Sequence, residues 1–242
     1  LFIGETLVRD TAVLALIPAW NEGPRVGPVV EATQRFLPVL VVDDGSQDDT
    51  VTVAERAGAT VVSHARNQGK GVALMTGFDW ALGRGYDGVL TLDGDGQHDP
   101  EDIPKFLSAY QTGRWDLIIG KRRFDQMPFP RGYTNPFGSW LLSLALKEQI
   151  PDNQSGFRLH DRRLLEVLDL TATGFELEVE LIIQAVCHGM RIGWVKIRTI
   201  YGIDKTSYFH PLKDSARFLA MVLHAWRRRR AADIPEPTGS TT

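Results

Sequence analysis

"GVLTLDGDGQHDPED", residues 88–102, runs from an apolar stretch directly into a cluster of carboxylates. The apolar residues read as a short buried strand, and Gly94 and Gly96 suit a tight turn immediately beyond it. Asp93, Asp95 and Asp99 then stand so close that their mutual repulsion costs stability unless something positive sits among them. Parallel sheets bind ligands beyond the carboxyl ends of their strands, so an acidic turn at such an end is a candidate cation site.

The same rhythm of apolar run and polar punctuation recurs on either side. "AVLALIPAW" (12–20), "VLVVDD" (39–44), "ATVVSH" (59–64) and "DLIIG" (116–120) read as further short strands. Helical patterns lie between them in "PRVGPVVEATQRF" (24–36), "DDTVTVAERAG" (48–58) and "GKGVALMTGFDWAL" (69–82). Ser46 or Asp48 is the expected N-cap of the second helix and Gly58 its stop. Strands alternating with helices predict an α/β fold, a Rossmann-like and mostly parallel sheet with helices on both faces.

Beyond residue 120 the pattern changes. "KRRFDQMPFPRGYTNPFG" (121–138) is rich in Pro, Gly, Arg and aromatics, and "SWLLSLALKEQI" (139–150) reads as a helix. "NQSGFRLHDRRLLEVL" (153–168) reads as a turn into another helix, followed by a helix near 176–188 and a β-like stretch at 191–202. A last amphipathic helix places Leu212, Leu219, Leu223 and Trp226 on one face and Arg227 to Arg230 at its end. The expected organisation is a domain over 1–211, an amphipathic, basic C-terminal helix over 212–230 and a disordered tail over 231–242.

Composition narrows the function classes. With 242 residues, 43% of them hydrophobic and 24% charged, the chain can bury a substantial core, and its net charge of −3 gives no general footprint for nucleic acid. The single cysteine, Cys187, excludes an intramolecular disulfide and a multi-cysteine metal site and suits a reducing compartment. No apolar run approaches the roughly 18 residues of a membrane span. No signal core follows Leu1, where a trimmed start is expected.

Three motif matches fail on context. An EF-hand loop starting at Asp93 would need Gly at its sixth place and Glu at its twelfth, where His98 and Pro104 stand. "GRGYDG" (83–88) precedes a strand instead of following one, and "NQGKG" (67–71) lacks the remainder of a phosphate loop. What survives is Asp93, Asp95 and Gln97, hard oxygen ligands suited to Mg2+ or Mn2+, ions that commonly share their coordination with substrate phosphates. The alternative is a solvated turn capping the next helix, a role expected of Asp99. Asp43 and Asp44 end their strand with carboxylates able to accept from a base N–H or ribose hydroxyls.

"IPAWNEG", "VVDDGSQDDT", "NQGKGVALMTGF", "TLDGDGQHDPE", "GKRRF", "QSGFRLH" and "GFELEVELI", in that order, resemble the family 2 glycosyltransferases of the GT-A fold. Within them the chain is most similar to the dolichyl- and polyprenyl-phosphate mannosyl- and glucosyltransferases, over residues 12 to 202. The resemblance implies that Pro18, Ala19, Asn21, Glu22 and Asp44 line the nucleotide, with Lys70 near it, and that Asp93, Asp95 and Gln97 hold the metal. Arg122 and Arg131 would bind an acceptor phosphate, for which an arginine fork is apt. Lys205 and His210 lie in a segment similar to one that closes over donor phosphates.

The implied reaction moves a hexose from a GDP-mannose or UDP-glucose type of donor to a polyprenyl phosphate with inversion, at the cytoplasmic face of a membrane met peripherally. Such an acceptor is already ionised and needs no strong base. A hydroxyl acceptor would need a carboxylate, for which Asp152, Glu176 and Glu178 are candidates. A nucleotidyltransferase fits "PAWNEGPR" poorly, and a non-catalytic nucleotide-sugar binder would have no use for the full set of acids and arginines. His160 and His188 are expected to be packing or surface residues and Cys187 a small core residue.

Overall fold

The computed structural model describes residues 11–123, 131–174, 176–200, 221–223 and 226. Seven strands form one sheet: β1 (Val13–Ala19), β2 (Val39–Asp43), β3 (Thr60–Ser63), β4 (Gly88–Thr91), β5 (Leu117–Lys121), β6 (Arg158–Asp161) and β7 (Ile192–Lys196). The helices are α1 (Gly23–Gln34), α2 (Thr50–Arg56), α3 (Lys70–Gly83), α4 (Ile103–Gln111), α5 (Arg131–Leu146), α6 (Arg162–Leu165) and α7 (Leu177–Cys187). Every strand expected in the first half is present within a few residues of its sequence pattern.

Alternation along the buried strands sorts their side chains to two cores. Leu14 and Leu16 of β1 join Leu40 and Val42 of β2 on the face covered by α3, α5 and α7. Val13, Ala15 and Ile17 join Val39 and Val41 on the opposite face, with residues of α1, α2 and α4. A parallel strand buried on both faces reads as a near-continuous apolar run, which is why "VLALI" and "VLVV" show no polar alternation.

The strand order is β3-β2-β1-β4-β6-β5-β7. β1 pairs in parallel with β2 on one side and β4 on the other, so the chain reverses its direction of winding between β1 and β4. A crevice for ligands forms at such a switch point, beyond the carboxyl ends of both strands. The turn at 93–98 leaves β4 at this point.

β6 departs from the sequence expectation. "RLHD" was expected to belong to a turn entering a helix, yet it forms a strand antiparallel to both β4 and β5. Its register pairs Thr91 with Arg158. Running against its neighbours, β6 begins where β4 ends, and this brings residues 152–157 to the acidic turn. Its four residues are all buried although three of them are polar or charged, a composition that conceals a central strand from hydrophobic periodicity. The helical part that was expected, α6, is a single turn.

The helix ends follow the sequence in part: α2 is preceded by Asp49 as its N-cap, with no side-chain cap bond, in place of the expected Ser46 or Asp48, although Asp48 lies close by. Asp48 accepts from the backbone N–H of Thr50, the first residue of α2, at 3.0 Å. Asp99 accepts from Glu101 N–H at 3.0 Å and caps the short 3-10 turn Pro100–Asp102. Of the helix expected over 212–230, only residues 221–223 and 226 are described, and they are helical. Val222 packs in the core, whereas Leu223 and Trp226 are exposed. The tail over 231–242 lies outside the described residues.

His160 is buried on β6, edge-on to Phe78 at 5.1 Å, which agrees with the packing role expected of it. His188 is exposed and Cys187 half-buried. Burial, with the nearby Arg158 charge, pushes the His160 imidazole down from 6.5 to about 3. The unfolded chain therefore binds a proton here over a pH range in which the folded protein does not. The stability contributed by neutral His160 is fully present above about pH 6.5 and declines as pH falls, by up to about 1.4 kcal/mol per pH unit. Denaturant titrations between about pH 6 and pH 4 should give a shallower loss of stability for His160→Leu than for wild type. Parallel losses would show that His160 protonates in the folded state.

Candidate active site

The turn beyond β4 is held by its own backbone. Asp93 N–H donates to His98 Nδ1 at 3.1 Å, and Gln97 N–H donates to Asp95 Oδ1 at 2.9 Å. Gly96 takes φ 78°, a value that side chains disfavour. His98 is buried and stacks on Phe157 at 5.2 Å, and Phe157 in turn contacts Phe106 at 4.5 Å. Burial lowers the His98 pKa despite the opposing charges of Asp93 and Asp95. A neutral ring is what an acceptor role at Nδ1 requires.

A cation occupies the acidic cluster. Lys70, the first residue of α3, places Nζ 2.6 Å from Asp93 Oδ1 and 2.7 Å from Glu178 Oε1. Burial alone would lower its pKa, but the two carboxylates outweigh burial and raise it above the ordinary lysine value. Glu178 lies in the first turn of α7, where the helix dipole favours a negative charge. Two glycines permit this close approach. Gly69, at φ 101°, lies where a Cβ would meet the Thr173 carbonyl oxygen at 2.4 Å. A Cβ on Gly156 would meet carboxylate oxygens of both Asp93 and Glu178 at 3.0 Å.

A second charged assembly stands at the start of β6. Arg122 Nε and Nη2 donate to Asp152 Oδ2 and Oδ1, each at 2.8 Å, in a fork. Arg122 N–H adds a bond to Oδ2 at 3.2 Å, and Gln154 N–H donates to Oδ1 at 3.1 Å. Asp152 is wholly buried. Beside it the buried Arg158 guanidinium donates to three carbonyls, those of Ser155 at 2.6 Å, Glu178 at 2.5 Å and Asn153 at 3.1 Å.

The ends of β1 and β2 complete the crevice. Asn21, at φ 52°, donates its N–H to Ser46 Oγ at 2.8 Å and accepts from Gln47 N–H at 2.9 Å through Oδ1. Glu22 N–H donates to Thr50 Oγ1 at 2.8 Å, and its carboxylate pairs with Arg25 at 2.7 Å. Asp44 accepts from His64 Nδ1 at 2.7 Å, Gln68 N–H at 2.9 Å and Gly69 N–H at 2.7 Å. Asp44 thereby holds the segment that delivers Lys70. Pro18 is half-buried and Ala19 buried at the end of β1.

Residues 15–169 match the model of the glycosyl transferase family 2. The chain belongs to this family. Polyprenol monophosphomannose synthase of Mycolicibacterium smegmatis is 31% identical over 78% of this chain and 78% of its own length. The UDP-N-acetylglucosamine–dolichyl-phosphate N-acetylglucosaminyltransferase of Methanococcus voltae is 30% identical over 80% of this chain and 88% of its own. Among solved structures, glucosyl-3-phosphoglycerate synthase of Mycobacterium tuberculosis in complex with Mn2+, UDP and glucosyl-3-phosphoglycerate superimposes with a TM-score of 0.67 at 20% identity. That likeness spans 95% of this chain and 82% of the other and establishes the shared GT-A fold.

In this glycosyltransferase the expected site residues fall into three groups, of which Pro18, Ala19, Asn21, Glu22 and Asp44 form the one at the ends of β1 and β2. Lys70, Asp93, Asp95 and Gln97 gather at the end of β4, and Arg122 with Asp152 at the start of β6. Arg131 opens α5, but its side chain lies outside the described residues, as do Lys205 and His210. His98, His64 and Arg158 were not singled out from sequence. His98 could have been, as the buried ring inside an otherwise acidic turn, and Arg158 as a charge inside the strand-compatible "FRLH".

The donor chemistry suits a divalent metal. Asp93, Asp95 and Gln97 offer hard oxygens, and the Asp93 side chain is 28% exposed. Among the described residues no three His, Cys, Asp or Glu side chains form a closed metal cage. A set of this kind fits Mg2+ or Mn2+ with part of the coordination left to phosphate oxygens.

Asp152 reads as the anchor of Arg122. Asp152→Ala should cost about 2–3 kcal/mol in urea unfolding, less than the ~3–5 kcal/mol of a fully buried pair because Arg122 retains some access to water. An unchanged midpoint and slope would show that the fork contributes nothing to the fold.

Proposed function

We propose that the protein transfers a hexose from a nucleoside-diphosphate sugar to a polyprenyl phosphate, with inversion at the anomeric carbon. The observation that carries this reading is the pairing of Arg122 with a buried Asp152. The carboxylate best placed to serve as a base is tied in a fork that orients an arginine, and Glu178 is likewise engaged by Lys70. With Asp152 and Glu178 committed to cations, the site suits a nucleophile that arrives already ionised. The two relatives reported above, whose names give mannose and N-acetylglucosamine as sugars, both name a polyprenol or dolichyl phosphate chemistry. The acceptor class therefore has more support than the sugar.

The donor is proposed to lie along Pro18, Ala19, Asn21 and Glu22, with Asp44 acting by fixing the 64–69 segment. Asp93, Asp95 and Gln97 would hold Mg2+ or Mn2+, which when bound takes up charge developing on the departing diphosphate. Arg122, held by Asp152, and Arg131 would align the acceptor phosphate for direct displacement. Alignment and preorganised charge are the main contributions asked of these residues.

A peripheral membrane approach accompanies this acceptor. Among the described residues no helix is long and apolar enough to cross a membrane. α5 instead exposes Phe137, Trp140 and Leu144 at helical spacing, between 59% and 63% accessible. Ser139 on the same helix bonds Asn153 Oδ1 at 3.1 Å, one residue from Asp152. An aromatic stripe on this helix is suited to an interfacial lipid surface.

The test is transfer of labelled sugar from GDP-mannose and from UDP-glucose to a polyprenyl phosphate in detergent, with Mn2+, with Mg2+ and with chelator. Lipid product from one donor, lost with chelator and lost in Asp95→Ala that remains folded, is the expected result. Donor hydrolysis or binding with no labelled lipid would overturn the acceptor assignment. Arg131→Ala should raise the acceptor KM by about ten- to hundredfold, the worth of a charged hydrogen bond, with little change in donor KM. The reverse pattern would move Arg131 to the nucleotide.

A further inference from the structure

The acidic turn holds a cation that belongs to the chain. Lys70 Nζ is bonded to Asp93 Oδ1 and to Glu178 Oε1 at distances typical of strong charge-assisted bonds. Both carboxylates thus converge on one point, and Lys70 is shielded there, its side chain 17% exposed. A divalent ion arriving at Asp93 meets a carboxylate whose charge is already offset and an ammonium that repels it.

We propose that Lys70 is an internal competitor for the metal, making metal binding depend on the donor. This rests on the reading of Asp93 and Asp95 as metal ligands. Without donor, Lys70 neutralises Asp93 and Glu178 and keeps the affinity of the turn for divalent cations low. When a nucleoside diphosphate enters, its phosphate oxygens add ligands to the ion and offer Lys70 another anion. The ammonium then shifts its bond from Asp93 toward the diphosphate while Glu178 retains it. Metal and donor consequently bind with positive coupling, and by linkage each tightens the other by the same factor. Asp44 contributes indirectly, since its bonds to Gln68 and Gly69 fix the start of α3 and so the reach of Lys70.

The experiment measures Mn2+ binding by electron paramagnetic resonance of free Mn2+ and by calorimetry, alone and with saturating UDP or GDP. Wild type is expected to bind Mn2+ weakly alone and at least tenfold more tightly with one of the nucleotides. Lys70→Met should bind Mn2+ alone at least tenfold more tightly than wild type, with the nucleotide enhancement reduced to a few-fold. Lys70→Arg, which keeps the charge, should stay close to wild type. If Lys70→Met does not fold, the charge-balanced Lys70→Met/Glu178→Gln protein replaces it, with the same expectation of tighter Mn2+ binding than wild type in the absence of nucleotide.

Nucleotide-dependent Mn2+ binding in wild type with no tightening in the folded variant would overturn the role of Lys70 and leave the metal assignment standing. Absence of Mn2+ binding to wild type with either nucleotide would remove the metal assignment and this inference together.

Discussion

The arrangement depends on one ammonium placed between two carboxylates from distant parts of the chain. Asp93 leaves β4 and Glu178 opens α7, and neither could be sheltered near the other without a positive charge between them. Lys70 supplies it and so fastens α3, the end of β4 and α7 at one point. The local sequence conforms to this demand. Gly69 and Gly71 let the start of α3 pass against the 172–174 backbone, where Gly71 N–H donates to the Thr173 carbonyl at 2.8 Å. Gly156 leaves room for both carboxylates.

The reversed strand β6 is the second constraint. A parallel strand in its place would carry residues 152–157 to the opposite edge of the sheet, away from the acidic turn. Antiparallel pairing instead sets Arg158 beside Thr91. Its buried guanidinium then spends its donors on backbone carbonyls of Asn153, Ser155 and Glu178. Burial disfavours the charge, while the nearby Glu178 and Asp152 support it. Charge-assisted bonds to three carbonyls offset much of the desolvation cost. One residue thereby couples the turn that carries Asp152 to the helix that carries Glu178.

The parallel half of the fold was legible because parallel strands covered on both faces favour near-continuous apolar runs, and "VLALI" and "VLVV" are such runs, with "GVLTL" nearly so. β6 was not, since "RLHD" owes its burial to specific partners: His160 to Phe78, Asp161 to Tyr110 at 3.0 Å and Arg158 to carbonyls. The site was legible in residue type and not in role. "LDGDGQ" announced oxygen ligands, but the lysine that neutralises them lies more than twenty residues away in sequence, and Glu178 could be read equally as a base. Asp152 was ambiguous for the same reason, because an aspartate available to a hydroxyl and one committed to an arginine are identical in a sequence. Asp44 stands at the end of its strand as expected, yet its oxygens serve the protein's own His64 ring and the backbone of Gln68 and Gly69.

Both charged groups of the site are ion pairs, but they differ in the freedom they leave the cation. Arg122 is gripped by a wholly buried Asp152 through two side-chain bonds and one backbone bond, so its orientation is set before any ligand arrives. Lys70 bonds two different carboxylates, and a point charge on a flexible stem can exchange one anion for another at small cost. The fork suits a group that must hold an attacking phosphate in line, and the lysine suits one that must yield a carboxylate to an incoming ion. In the reaction proposed here, the rigid cation belongs to the acceptor and the exchangeable one to the donor. The order of binding then follows from charge: the acceptor position is preformed, whereas the metal position becomes complete only as the diphosphate draws Lys70 away from Asp93.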